Sequence, residues 1–198
     1  MLITDFETDE EGMTVPYPAV FDDIRRNHGF VDLRGRPDLA LGIFEGSEST
    51  ALRGLLARLS ESDSALFTLG CDLGTHEEPE SDDTARCVAG GYIQLMSASY
   101  AECSPDDYST FGWAIGQALE GRAQEHNWTV RFVLKLVVLS LDEFSGLTPS
   151  LWIWFDAAAH TLEAALVSRE VLIGSLQDLL TDEHLTSVFR QEPDESEC

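Results

Sequence analysis

The chain predicts an α+β domain, a largely antiparallel sheet with helices packed on it, and three features of the sequence say so. Strand-like alternation and helix-like spacing both recur along its length, strand-like stretches follow one another closely enough to be hairpins, and helical stretches separate the pairs into ββα-type units. The 198 residues suit one domain, since domains run to roughly 50–200 residues, and no linker interrupts them. We place a single domain at residues 1–190, with an acidic N-terminal segment over 1–15 and a disordered acidic tail over 191–198.

The opening LITDF reads as a short strand, and the acids that follow it to Val15 as a mobile segment. PYPAVFDDIRRNHG has Pro18 near a helix start, Val20, Phe21 and Ile24 at helical spacing, and Gly29 where a helix would stop, so a short amphipathic helix is expected. FVDLRGRPDLALGIFE shows two brief apolar runs around Gly35 and Pro37, which suits a hairpin. In SESTALRGLLARLSES, Leu52, Leu55, Leu56 and Leu59 make one stripe behind Ser and Glu, the pattern of a second helix.

ALFTLGCDL and RCVAGGYIQLMSASY are the next two strands, and Gly90 and Gly91 in the second mark a bulge or a close backbone approach. SPDDYSTFGWAIGQALEGRAQEHN is the clearest helix. Ser104 is its N-cap, Pro105 sits at N1 and two aspartates follow in the first turn, where the dipole favours them. Tyr108, Phe111, Ile115, Ala118 and Leu119 are its expected buried side. TVRFVLKLVVLSL alternates, with Val130 to Val138 at even positions as a core face and the odd positions passing from half-wet to dry, as a central strand would. DEFSGLTP then reads as a turn, SLWIWFDAA as a strand and TLEAALVSR as its hairpin partner. Helices over EVLIGSLQDLL and DEHLTSVFR finish the domain.

Charge limits the function. Thirty-six acidic residues against twelve basic ones give a formal net charge of −24. Direct nucleic-acid binding through phosphates needs clustered Lys and Arg, so it is excluded, and anionic membrane surfaces with it. Basic protein partners, mimicry of nucleic acid and adaptation to high salt are compatible. For mimicry, an even spread leaves roughly 390 Å² per net charge, against about 110 Å² on duplex DNA, so the acids would have to gather on one face. Arg131 and Lys135 interrupt the longest apolar run, which falls short of a membrane span, and no signal-like leader opens the chain. A cytoplasmic location is expected.

Motifs are scarce. The cysteines Cys71, Cys87, Cys103 and Cys198 lack the spacing of a zinc site and are read as free thiols, three of them buried, with Cys71–Cys87 the one pairing to consider. The five histidines, His28, His76, His126, His160 and His184, show no metal-ligating spacing. No phosphate-cradling glycine loop or nucleophile elbow occurs, so no catalytic or metal residue is assigned and no cofactor is expected.

Two stretches remain. HEEPESDD, His76–Asp83, reads as a long, solvated hairpin loop kept from pairing by Pro79, and alternatively as an address for a basic partner. In SLWIWFDAA, Trp152 and Trp154 share one face of a strand; that face is core beneath a helix or an exposed interface anchor. The functional expectation is a non-enzymatic protein-binding domain, such as an immunity or inhibitor protein that neutralises a basic partner, for example a toxin nuclease. Glu77, Glu78, Glu80, Asp82 and Asp83 would make its rim contacts, with Trp152 or Trp154 as anchor. The alternatives are a nucleic-acid mimic and a small enzyme whose site is assembled from dispersed residues.

Overall fold

The computed structural model describes residues 4–21, 26–79, 85–123 and 126–190, with the backbone alone at 4–12, 26, 78, 79 and 85. In chain order its elements are Thr4–Val15 (β1), Val20–Phe21 (β2), Arg26–Asn27 (β3), a 3-10 turn at Pro37–Gly42, Phe44–Glu48 (α1) and Thr50–Leu59 (α2). There follow Leu66–Pro79 (β4), Ala85–Ser97 (β5), Pro105–Arg122 (α3), Trp128–Leu141 (β6), Phe144–Ala159 (β7), Leu162–Leu180 (α4) and Glu183–Thr186 (α5). The α+β expectation holds. The five long strands form one curled sheet in the order β1-β6-β7-β5-β4, antiparallel except that β1 runs parallel to β6.

Parity explains how one sheet carries two cores. The helices bury odd positions of β7 (Leu151, Ile153, Phe155, Ala157) and even positions of β6 (Trp128, Val130, Phe132) together with Leu52, Leu56, Phe111, Ile115, Leu172 and Leu176. On the other face Phe67, Leu69, Met96, Val137 and Leu139 gather with Val15, and Tyr17 and Phe30 pack against them. In β4 the register shifts between Thr68 and Gly70. A one-residue slip exchanges the faces, so Phe67 and Leu69 serve the second core while Cys71 and Leu73 serve the first. Val15 of β1 and Leu69 of β4 share that second cluster, so the two edge strands approach each other at this end, and the Tyr17 hydroxyl donates to the Leu69 carbonyl at 3.0 Å.

The helices form where capping chemistry and apolar spacing coincide. Ser49 caps α2 by accepting from Leu52 N at 3.0 Å. Ser104 and Asp107 form a reciprocal capping box on α3, as the sequence suggests, while Ala118 is only half-buried. The Glu170 carboxylate on α4 accepts from Ala51 N at 3.0 Å, which joins the longest helix to an orphan donor of α2.

Several expectations fail for local reasons. The acids of 6–15 continue β1: an edge strand leaves one side to water and so tolerates charge, and pairing to β6 supplies its hydrogen bonds. The helix expected over 16–29 is replaced by the two-residue pair β2–β3. Gly29 takes φ +82 with its N–H bonded to Asn27 Oδ1 at 2.8 Å, Val20 and Phe21 are exposed, and Ile24 lies outside the described residues. Pro37 starts a 3-10 turn rather than a hairpin. The stretch TLEAALVSR is the first half of α4, because the Thr161 side chain accepts from Ala164 N at 3.2 Å and starts a helix there. Of DEFSGLTP only Asp142 and Glu143 turn, with Asp142 at φ 54, a conformation Asp tolerates; the rest extends β7. In β6 the even face is core only to Leu134. Beyond it Leu136 and Val138 are exposed and Val137 and Leu139 are buried, since the helices end and the second core takes over.

Candidate binding face and adjoining cavity

The antiparallel register of β5 on β7 sets Tyr92 opposite Trp154 and Gln94 opposite Trp152. These positions alternate with the helix-covered Ile93, Leu151, Ile153 and Phe155, so the three aromatic rings lie on the face turned away from the helices. The two tryptophans are therefore not core beneath a helix. Ring centroids are 4.6 Å apart for Tyr92–Trp152, 4.8 Å for Tyr92–Trp154 and 5.7 Å for Trp152–Trp154. The Lys135 ammonium stands 4.8 Å over the Trp152 ring. Trp154 is 40% exposed, and Tyr92 and Trp152 are half-buried.

Beneath the rings Gln94 is fully buried. Its amide nitrogen donates to Ser150 Oγ at 3.0 Å, and that hydroxyl donates to the Lys135 carbonyl at 3.1 Å. Gln94 Oε1 and Trp152 Nε1 are buried with no hydrogen-bond partner, and an orphaned buried group costs about 1–3 kcal/mol.

A cavity of about 580 Å³ adjoins this platform. It lies against β4 at Thr68–Asp72 and is closed by Tyr17 and by residues drawn from 27–33 and 42–45, with Tyr92 common to cavity and platform. His28 stacks on Phe44 at 5.2 Å and meets Phe21 edge-on at 5.3 Å, forming an aromatic rim. Burial pushes the Glu45 carboxyl above its ordinary range, and His28 offsets part of that rise. Burial likewise pushes the Cys71 thiol up to about 12, with Glu45 and Asp72 adding to the shift, and it raises Tyr17 and Tyr92.

Cys71 is consequently a thiol at neutral pH, which disfavours nucleophilic chemistry there. In the native chain it should react with a thiol reagent at pH 8 roughly a thousandfold more slowly than in urea, following thiolate fraction; mass spectrometry of the alkylated peptide reads the ratio. The sign for stability follows. The unfolded thiol ionises near 9 and the folded one near 12, so the unfolded state binds fewer protons in between and stability falls as pH rises through that window. Cys71→Ala should flatten this part of the alkaline decline.

Of the residues singled out in the sequence, Glu77 lies apart from the two tryptophans. Glu77 is exposed on β4, opposite Cys87, because His76–Pro79 continue the strand despite the proline and are not a loop. Glu78 pairs through its backbone with Arg86, and Glu80, Asp82 and Asp83 lie outside the described residues, as do Cys198 and the tail. From Cys87, opposite Glu77, to Tyr92 is five strand residues, roughly 17 Å, so Glu77 and the aromatic platform are separate features. The N-terminal acids are on β1, at the opposite edge of the sheet from β4. Cys71 and Cys87 lie opposite Ile93 and Glu77, far out of register for a bridge, and Cys71, Cys87 and Cys103 are free and half-buried rather than buried. Trp113 is 58% exposed, whereas Trp128 is buried with its Nε1 donating to Ser168 Oγ at 2.9 Å.

Tyr92, Gln94 and the cavity residues Tyr17, His28, Glu45 and Asp72 carry no motif. Only the alternation around Tyr92 hinted at a face, and the β5–β7 register that completes it is a tertiary fact. Among the described residues no group of three His, Cys, Asp or Glu side chains is placed to hold a metal ion, and no helix is long and apolar enough to cross a membrane. No family model matches the chain, and comparison with curated proteins and with solved structures finds no match.

Proposed function

We propose that the chain is a non-enzymatic binding protein that captures a basic protein partner, in the manner of an immunity or inhibitor protein. The observation that carries this reading is the stacked Tyr92–Trp152–Trp154 platform on a sheet face turned away from the helices, in a chain of net charge −24. Exposed tryptophan with tyrosine is the usual composition of an interface anchor, and a large negative charge attracts a basic partner over a Debye length, about 8 Å at physiological salt. On this reading the aromatic platform supplies the short-range energy, and Glu77, with the acids that follow it in sequence, accelerates encounter.

Affinity purification from the native host at low and high salt tests it, with mass spectrometry of what co-elutes. A stoichiometric basic protein released by salt is the expected result; a bare chain under both conditions would overturn it. With that partner in hand, replacing Glu77, Glu78, Glu80, Asp82 and Asp83 by Gln or Asn should slow association severalfold at low salt and leave folding intact, because rim charges act mainly on the on-rate. An unchanged on-rate would remove these acids from the mechanism.

A further inference from the structure

The cavity beside β4 has a chemistry that the capture of a protein partner does not explain. Its volume, about 580 Å³, lies within the range of small-molecule pockets, roughly 300–1,000 Å³. Two carboxylates, Glu45 and Asp72, line it, and neither lysine nor arginine does. Tyr17, Phe44 and Tyr92 add ring faces, while Leu33, Ile43 and Leu56 supply apolar wall. We propose that this cavity binds an organic cation, an ammonium or guanidinium group on an apolar stem, with Glu45 and Asp72 as counter-charges and the tyrosine rings facing the cationic head.

Most of the lining selects in the same direction; His28 acts against it by offsetting part of the Glu45 rise, and two carboxylates still outnumber that one imidazole. An anion would meet two carboxylates with no lysine or arginine to balance them, at a cost in a half-buried site. A neutral apolar molecule would fill the wall but bring the carboxylates no opposite charge, leaving Asp72 with the Leu73 N–H at 2.8 Å. A cation with an apolar body satisfies both, because carboxylates and aromatic faces attract positive charge and the stem covers the wall. Burial raises Glu45, the behaviour of a carboxyl partly removed from water and insufficiently compensated, and a bound cation would supply the compensation. A free amine and the arginine or lysine side chain of a bound protein share this chemistry. The site is distinct from the platform apart from Tyr92, so its affinity for a small amine can be measured without the partner proposed above.

Calorimetric titration of the full chain with 2-phenylethylamine, its neutral isostere 2-phenylethanol and the anion 3-phenylpropionate tests the proposal. The amine should bind at least about tenfold more tightly than the alcohol, the advantage of a charge-assisted contact, and the anion should not bind. Glu45→Gln with Asp72→Asn should bring the amine down to the affinity of the alcohol, while Trp113→Ala, on α3 and outside the lining, should leave it unchanged. Equal affinity for amine and alcohol, or no saturation by the amine at millimolar concentration, would overturn the proposal, and so would indifference to the double substitution in a variant with an unaltered circular dichroism spectrum. The ligand series on the unaltered chain is decisive even where that variant does not fold. A capped Ala-Arg-Ala peptide in parallel separates the sources: tighter binding than the amine points to a side chain of a protein, and weaker binding to a free small molecule, with the proposal supported in either case.

Discussion

Gly90→Ala is expected to destabilise the domain by about 3 kcal/mol, the upper part of the range for overpacking a tight interior. An added Cβ at Gly90 would stand 2.5 Å from the Phe155 carbonyl oxygen and closer still to Asp156 Oδ1. The carbonyl belongs to β7, hydrogen-bonded to β5 along nine residue pairs from Cys87↔Ala159 to Leu95↔Leu151, so it cannot withdraw without opening the ladder that carries the platform. Gly91 is pressed from the other side, where its Cβ would meet the Asp72 carbonyl of β4. Strand β5 is thus held closely between two neighbours at consecutive residues, which is why small size rather than backbone freedom is required there. Gly74 is the control, since a Cβ at that position meets nothing within 4 Å. Gly74→Ala should be neutral or stabilising by up to about 1 kcal/mol through reduced unfolded-state entropy. Thermal unfolding reads the contrast as a drop of roughly 6–12 °C for Gly90→Ala and none for Gly74→Ala. Equal midpoints for the two variants would show that the strands are not in such close approach.

Elements whose signals are local were legible in the sequence. Helix α3 carries its own cap, N1 proline and acidic first turn, and α2 its own leucine stripe, so each could be read without knowledge of its neighbours. The glycine pair of β5 announced its close approach because glycine in a strand has few other uses. The failures share a different cause. Residues 161–169 have the composition of either a strand or a helix, and a single threonine cap with the continuing apolar face of α4 decided between them. The acids of β1 look mobile until a parallel partner 126 residues away, as in Thr4↔Val130, provides hydrogen bonds. The helix expected over 16–29 rested on Pro18, Gly29 and the spacing of Val20 and Phe21, signals that a β2–β3 pair followed by a left-handed Gly29 also satisfies. The candidate site was legible only as its two tryptophans. Their spacing fixed a shared face, but which face the helices occupy is set by docking, and Tyr92 and the cavity arise from strand register and from the wrapping of 27–45 past β4, neither of which leaves a period in the sequence.

Trp154→Ala is expected to weaken capture of the partner about 30-fold, the equivalent of roughly 2 kcal/mol for losing an interface anchor. Nearly all of that change should appear in the dissociation rate. Trp154 is the ring of the three with appreciable exposure, 40%, so its removal takes contact area from a bound partner while costing the free domain little packing; the thermal midpoint should move by a few degrees at most. Trp113, 58% exposed on α3 and remote from the sheet face in question, is the matched control, and Trp113→Ala should leave both rates unchanged. The acid-to-amide variant described above should show the opposite kinetic signature, a slower association that converges with the parent chain as salt rises, because distributed charge acts before contact and an aromatic anchor acts after it. The two variants therefore separate the halves of the proposed mechanism. A loss confined to the on-rate in both would mean that charge alone brings the partner in and the platform is a by-product of the fold; no loss with Trp154→Ala, alongside a normal effect of the acid-to-amide variant, would move the short-range contact to another surface of this acidic chain.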